Sequence, residues 1–427
     1  MRLILDLSSP RGDAVNDGIS QEDFACVYSK FDDAVNIIRH LGRGAFMAKV
    51  DIKHAFRICP VSPDQWPLLC YQWLDQFFID TRLPFGSRSS PFIFNTFAMA
   101  LAWIIINVGG LMFLIHYLDD FFMAHYSESV CQHDLDVFLS ICSELGVPLA
   151  DDKTVGPSTR VTYLGIEIDS SDMTIRLPSD KMEKIQLLLH TWKTKRKCTK
   201  QELLSLIGIL SFACKVVKGG RMFLRRLIDL STTVPSLHHH VYLNSEAQAD
   251  IQWWLQFLPH WNGIAIIHPP PINSHELHLY TDASDVGLGG FYGNNWFSSA
   301  WRDDWKPSLT NHINARELFA VWTALFLWGD SWVNNEILIF TDNQAVVDVW
   351  LSGTCKDKLM MKLIRCMFFF AAKRNINILV AHVPGKVNTD ADLLSRFQIR
   401  QFLDRNPSAH SEPVPLCPEI WDTPGYT

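Results

Sequence analysis

Two adjacent aspartates, Asp119 and Asp120, interrupt an otherwise apolar stretch, FLIHYLDDFFMAHY. The flanking segments read as strands, so the pair falls at the tip of a hairpin. Like charges side by side raise each other's pKa unless a cation neutralises them, and a divalent cation is the usual answer. An isolated Asp-Asp is most often a solvated turn. Two further features argue for more here. Asp51 sits in the equally apolar run FMAKVDIKHAFRICPV, where an unpaired carboxylate is costly. A separate carboxylate set follows far downstream: Asp282 and Asp342 each close an apolar run with Thr-Asp, Glu317 lies on the helix between them, and Asp392 on the last one. Four carboxylates on four elements converge only if the two strands are neighbours, which a mixed sheet allows.

The 427 residues suffice for two or three domains, each able to bury a core. With 48% apolar and 19% charged residues, wholesale disorder is excluded. A net charge of −7 is unlike a nucleic-acid binder, yet it hides a local excess. Residues 181–230 hold twelve Lys/Arg against three Asp/Glu, so one face is expected to be basic. The ten cysteines follow no CxxC or zinc-ligand spacing and fit reduced thiols in an intracellular compartment. MRLILDLSSPRGD has too short an apolar core for a signal peptide. The stretch 98–115 is apolar enough to suggest a membrane span, but Asn107 and Gly109-Gly110 break it. It reads as a buried helix, a turn and a buried strand.

Several elements must position the carboxylates. Residues 2–9 alternate like a strand. FDDAVNIIRHLG has the acidic start and terminal Gly42 of a helix. Asp51 is expected at the centre of its strand, and Ser90-Pro91 to supply the N-cap and first residue of the helix FIFNTFAMALAWIII. An amphipathic helix ends at Gly146, and VTYLGIEID closes this half as a strand. A second segment opens near Pro178. Thr199 and Glu202 form a capping box ahead of an apolar helix. Lys193, Lys195, Arg196, Lys197 and Lys200 precede that helix, and Lys215, Lys218, Arg221, Arg225 and Arg226 follow it. Such charge either solvates a helical face or grips a phosphate backbone, and both readings stay open. Residues 231–274, rich in His, Trp and Pro, end in a stiff linker, with His238–His240 read as a polar loop, the alternative being adventitious metal binding. The last module reads as three strands to about Trp301, a helix over INARELFAVWTALFLW, a strand ILIFTDN, helices to Arg374, a strand NINILVAHV and a short helix near ADLLSR.

In this order the residues resemble the reverse transcriptases of retroelements. RLILDLSS resembles a fingers strand, MAKVDIKHAF motif A, LPFGSRSSPFIFN motif B, YLDD motif C, GVPLADDKT the segment with the motif D lysine, and VTYLG a primer-grip turn. In the second half TDAS, NARELFAV, TDN and NTDADLLSR resemble ribonuclease H. The likeness runs from Arg2 to about Phe397; a YxDD alone is weak, whereas the ordered series is strong. LDLSSPRGDAVNDGI and the direct passage into ribonuclease H look most like DIRS-like elements of the tyrosine-recombinase class, with gypsy-type LTR elements the near alternative. The sequence holds no aspartic-protease DTG/DSG, and Tyr426, at its very end, is not expected to belong to a recombinase.

The resemblance implies an α+β and α/β multidomain chain. Its parts would be a right-hand polymerase with truncated fingers and palm (1–177), a basic helical thumb (178–230), a connecting segment (231–275), a ribonuclease H-like mixed-sheet domain (276–397) and a flexible tail (398–427). It implies an RNA-directed DNA polymerase with ribonuclease H activity from a retrotransposon. The partners would be RNA template, DNA primer, RNA/DNA hybrid, dNTPs and other retroelement-encoded proteins, in cytoplasm or nucleus and without a membrane. Asp51, Asp119 and Asp120 would hold two Mg²⁺ or Mn²⁺ roughly 4 Å apart, and Asp282, Glu317, Asp342 and Asp392 two more. Phe56 would be a steric gate against a ribose 2′-OH, its alternative being plain core packing. Arg2, Phe85 and Gly86 would bind the nucleotide, and Lys153 would protonate the leaving pyrophosphate. Tyr163, Leu164 and Gly165 would grip the primer, and Lys195, Arg196, Lys197, Lys215 and Lys218 the nucleic-acid backbone. His382 would assist product release or be an ordinary loop histidine. The relatives' fingers begin earlier, with a lysine for the γ-phosphate, so a truncated or degenerate copy is expected. The competing reading is a polymerase-inactive chain that retains ribonuclease H alone or passive nucleic-acid binding; seven intact carboxylates favour the enzyme.

Overall fold

The computed structural model describes residues 3–217, 219–258, 264–267, 279–304, 312–353, 355 and 357–421. The chain forms two compact units, Met1–Ile175 and Arg176–Thr427. The first runs α1 (Phe31–Leu41), β1 (Phe46–Asp51), β2 (Cys70–Trp73), β3 (Gln76–Ile79), α2 (Ser90–Asn107), β4 (Leu114–Tyr117), β5 (Asp120–His125), α3 (Glu128–Glu144), β6 (Val155–Ser158), β7 (Arg160–Tyr163), β8 (Ile166–Asp169) and β9 (Thr174–Arg176).

Its main sheet has the order β4-β5-β1-β6, with β5 and β6 both antiparallel to β1. β1 is central because Met47, Ala48 and Val50 are all apolar and fully buried. Helices α2 and α3 cover one face, where Val50, Phe94, Leu101, Phe121, Met123, Leu135 and Phe138 form the core. In α1 the buried Phe31, Ala34, Val35 and Ile38 follow helical spacing. Asp32 and Asp33 sit in its first turn, and Gly42 ends it at φ 85°.

Five local expectations change. Residues 3–9 form no strand: Leu5 N–H donates to the Phe85 carbonyl at 2.9 Å and the Leu7 carbonyl accepts from Asn16, so the backbone bonds into loops rather than a ladder. Asp51 ends β1 instead of occupying its centre, since the chain turns at Lys53 and His54 and enters a 3-10 helix at Ala55–Ile58. Ser90 is the first residue of α2, and its Oγ donates to the Pro84 carbonyl at 2.9 Å instead of capping. VTYLGIEID is a hairpin, β7 and β8, turning at Leu164 and Gly165 with φ 47° and 77°. Finally, α2 is buried on one side only. Among the described helices it alone has the length and hydropathy to cross a membrane, and it packs 39% of that window inside the protein while Trp103 stays 62% exposed.

The second unit runs α4 (Ser179–Trp192), β10 (Lys197–Thr199), α5 (Lys200–Ala213), α6 (Arg225–Ser231), β11 (His240–Tyr242), α7 (Ser245–Phe257), β12 (Ile264–Ile266), β13 (Leu279–Ala283), β14 (Gly287–Tyr292), β15 (Asn295–Ala300), α8 (Ile313–Trp328), β16 (Glu336–Thr341), α9 (Gln344–Ser352), α10 (Lys358–Lys373), β17 (Asn377–His382), α11 (Thr389–Ser395) and α12 (Ile399–Arg405). Thr199 and Glu202 form the capping box of α5. β11 pairs with β10, so His240 is in a strand opposite Thr199. α7 buries Trp253 and Trp254, with Trp253 stacked 3.7 Å from Phe223 and 4.8 Å from Phe257. The Pro-rich stretch read as a linker, 268–274, lies outside the described residues.

A five-stranded sheet of order β15-β14-β13-β16-β17 carries the downstream carboxylates. β13, β14 and β15 are antiparallel, while β16 runs parallel to both β13 and β17. The expected flexible tail is instead packed as far as Trp421: Phe402, Ile420 and Trp421 are buried because three apolar side chains find cover on this sheet and on α8. All ten cysteines are free thiols.

Candidate active sites

In the first unit the Asp51–Asp120 pair fixes the geometry. These residues are direct partners in the β1–β5 register, so their side chains share a face of the sheet. Tyr117 pairs with Asp120, leaving Leu118 and Asp119 as a two-residue turn. Leu118 takes φ 51°, a left-handed conformation that costs a non-glycine residue on the order of 1–3 kcal/mol. The Asp119 carbonyl accepts from Ile52 N–H at 3.0 Å, which ties the turn to the residue after Asp51. Lys153 follows a backbone bond from Ala150 N–H to the Asp51 carbonyl at 2.9 Å, and its Nζ donates to Asp51 Oδ1 at 3.0 Å.

Asp51, Asp119 and Lys153 line a cleft of about 630 Å³, together with Phe56 and Phe85. The two rings lie 5.2 Å apart, and Phe56 also meets Phe94 edge-on at 5.6 Å. Gly86 adopts φ 110°, and any Cβ there would collide with the Leu5 carbonyl. Asp120, on the same face as Asp51, is half-buried and is not among the residues lining the cleft. Burial pushes its carboxyl up to about 6, against the pull of Lys49 and with the help of Asp119 and Asp51. Lys153 is held above its ordinary value by its hydrogen bond to Asp51, which keeps its proton in place. Hard carboxylate oxygens gathered at one end of a strand pair, with one acid pushed up mainly by burial, are a donor set that suits a divalent cation.

The second centre rests on the parallel pair β13 and β16. Tyr280 pairs with Phe340, which sets Asp282 and Asp342, each two residues further on, level with one another. Glu317 reaches them from α8, and one oxygen from each of the three lies within 4.8 Å of the others. Glu317 is 4% exposed and its Oε2 is buried without a hydrogen-bond partner. Burial, then Asp282 and Asp342, push its carboxyl well above the ordinary range. Asp282 is pushed up to about 6, mainly by burial, although Ser395 Oγ donates to its Oδ2 at 2.6 Å. An orphaned, buried carboxylate oxygen facing two more carboxylates is the arrangement a cation would relieve. Asp392 stands apart from the trio: its Oδ1 accepts from Arg396 Nε at 2.7 Å, and it acts on Asp282 and Glu317 through charge. His382 ends β17, exposed and opposite Thr341 in register.

The expected nucleic-acid contacts fare unevenly. Tyr163 is fully buried against Phe122 at 5.0 Å, so its side chain is core and does not reach solvent; Leu164 and Gly165 form the accessible turn. Lys195 is tied to Glu202 at 2.8 Å and lies over Trp192, and Arg196 donates to Gln248 at 2.8 Å. Lys197 sits over Tyr242 and Lys215 over Phe212. Arg2 and Lys218 lie outside the described residues. Sequence reading missed Lys49, Ser395 and Asn388; the last donates to the Thr281 carbonyl at 3.1 Å and to Asp282 Oδ1 at 3.4 Å. Ser395 and Asn388 flank Asp392 within one turn of helix, a spacing that carries a signal only once α11 is known to lie against β13.

Residues 12–168 match the sequence profile of the family described as reverse transcriptase (RNA-dependent DNA polymerase). The Pro-Pol polyprotein of simian foamy virus type 1 is 27% identical over 180 residues, 42% of this chain and 14% of that protein. Protein P of heron hepatitis B virus is 25% identical over 187 residues, 43% of this chain and 23% of the relative. A putative enzymatic polyprotein of cassava vein mosaic virus is 22% identical over 367 residues, 82% of this chain and 53% of the relative. The match thus spans a minor part of the first two proteins and about half of the third. Among solved structures, the foamy viral protease-reverse transcriptase dRH in complex with ds DNA aligns over 90% of this chain and 63% of that one, with 19% identity and a TM-score of 0.51, a likeness of fold.

Proposed function

Taking as premise that residues 12–168 are a reverse transcriptase domain of the kind found in retroelement and viral polyproteins, we propose that the whole chain is an RNA-directed DNA polymerase joined to a ribonuclease H, from a retrotransposon. The observation that carries the reading is the meeting of Asp51, Asp119 and Asp120 at one end of the β1–β5 ladder, beside a cleft that also holds Lys153 and Phe56. The Asp282–Glu317–Asp342 trio supports the second activity.

In the polymerase half, Asp51, Asp119 and Asp120 would hold two Mg²⁺ or Mn²⁺. Such ions supply a more acidic primer 3′-hydroxyl and neutralise the leaving pyrophosphate. The chain's own groups do the rest. The Phe56 ring, backed by Phe85 and Phe94, closes the cleft where a ribose 2′-OH would stand, which favours dNTPs. Lys153, kept protonated by Asp51, offers its proton to the departing phosphate oxygen. In the second half Asp282, Glu317 and Asp342, with Asp392 nearby, would hold the ions that activate water against the RNA strand of a hybrid. Ser395 and Asn388 keep Asp282 oriented, and His382 would act on product release.

The direct test uses the full chain with Mg²⁺, in primer extension on an RNA template alongside cleavage of a labelled RNA/DNA hybrid. Both activities are expected; cleavage without extension would leave a ribonuclease H alone, and neither activity would sink the enzymatic reading. The segment LDLSSPRGDAVNDGI supports a placement among DIRS-like elements, with gypsy-type LTR elements the alternative. A tyrosine-recombinase reading frame beside the gene would support that placement, and a protease–integrase frame would move it to the gypsy type.

A further inference from the structure

A concave site of about 280 Å³ lies within the second unit and shares no residue with either carboxylate centre. Its frame is a buried charge cluster joining α7 to α10. Asp250, wholly buried, accepts from Arg365 Nη2 at 2.6 Å and lies 3.7 Å from Arg226, whose Nε is 3.6 Å from Glu246. These two carboxylates are outnumbered, because Lys358 and Lys362 also line the site. The two lysines occupy successive turns at the N-terminal end of α10, and neither has a carboxylate partner among the described residues. The positive end of a 16-residue helix adds to the same field.

Burial supplies the independent observation. Arg365 has a side chain only 8% exposed and its Nε has no acceptor, while Trp253, 2% exposed and also lining the site, has an Nε1 with none. Buried donors are almost always satisfied, so two on residues that line one site, together with two lysines that have no carboxylate partner among the described residues, call for a ligand with several anionic oxygens. Asp250 Oδ2 is unpartnered too and is the group there that would repel an anion; the two guanidiniums bound to that carboxylate offset it.

We propose that the site formed by Lys358, Lys362, Arg365 and Trp253 binds a phosphate group, either on a nucleic-acid backbone or as free phosphate. The inference stands on these contacts and not on the catalytic reading. The test takes the full chain with two probes: inorganic phosphate by isothermal titration calorimetry, and a fluorescein-labelled RNA/DNA hybrid by anisotropy over a series of salt concentrations. The double variant Lys358→Ala with Lys362→Ala is compared with Lys373→Ala, a lysine at the far end of the same helix. The double variant is expected to lose phosphate affinity by tenfold or more while Lys373→Ala does not. If the phosphate belongs to nucleic acid, the slope of log affinity for the hybrid against log salt also falls by about 2, one for each lost contact. If phosphate binding falls and the hybrid slope holds, free phosphate is the ligand. Unchanged phosphate and hybrid binding in the double variant, or an equal loss in Lys373→Ala, would overturn the proposal.

Discussion

Asp51 and Asp120 stand opposite each other as the last residue of one strand and the first of its antiparallel partner. An antiparallel ladder thus brings together two carboxylates that are 69 positions apart in sequence, and the turn before Asp120 delivers the third. The downstream trio uses a parallel pair of strands for the same end. Each centre is a place where strand pairing fixes like charges side by side, a cost that persists only where something compensates it.

The two centres share no residue, so their activities should separate by mutation. Asp119→Asn is expected to lower primer extension by about a thousandfold or more and to leave hybrid cleavage within a factor of about two. Asp342→Asn should do the reverse. If either variant lost both activities while keeping its urea midpoint, the assignment of two independent centres would be wrong.

Phe56 tests substrate choice. Its ring is braced by Phe85 and Phe94, so truncation opens the cleft without removing a charge. Phe56→Ala should raise kcat/KM for ribonucleotides relative to deoxyribonucleotides by at least about tenfold, the scale of a removed steric clash. An unchanged ratio in a folded variant would assign Phe56 to the core alone.

Asp282 gives a pH signature. Burial lifts its folded-state value to about 6 from 3.8, so the folded protein keeps a proton that the unfolded chain releases. Without divalent ions its charge therefore costs nothing below about pH 4, and stability falls as pH rises from about 4 to about 6 and levels off above that, by at most about 3 kcal/mol. Asp282→Asn should accordingly stabilise the metal-free protein in urea unfolding at pH 7.5, and the gain should vanish near pH 4. A destabilised variant at pH 7.5 in EDTA would contradict the burial argument.

The carboxylate centres were legible because each acid ends or follows an apolar run whose period names the element, and short-range patterning survives folding. The spans of α8 and β16 follow from the same patterning. What could not be read depends on long-range docking. Tyr163 looks like a free turn residue until β7 is seen packed under Phe122. Residues 3–9 alternate like a strand, yet their backbone bonds to the Phe85 loop. Lys195 and Arg226 add to the basic count of residues 181–230, but the fold pairs them with Glu202 and Glu246.

Trp421 is the clearest case of such docking and gives the last prediction. It is 6% exposed, stacks on Phe319 at 5.0 Å and meets Trp301 edge-on at 6.3 Å, while the neighbouring Ile420 carbonyl accepts from Trp322 Nε1 at 3.1 Å. Trp421→Ala removes a large side chain from a packed site and should cost about 3–5 kcal/mol in urea unfolding. Deleting residues 398–427 should do more, because Phe402 packs against Leu393 and Leu394 of α11, the helix that holds Asp392 and Ser395. Hybrid cleavage should then fall together with stability, whereas primer extension should not, since Asp51, Asp119 and Asp120 belong to the other unit. A midpoint unchanged by Trp421→Ala would mean that this segment is a loose tail after all.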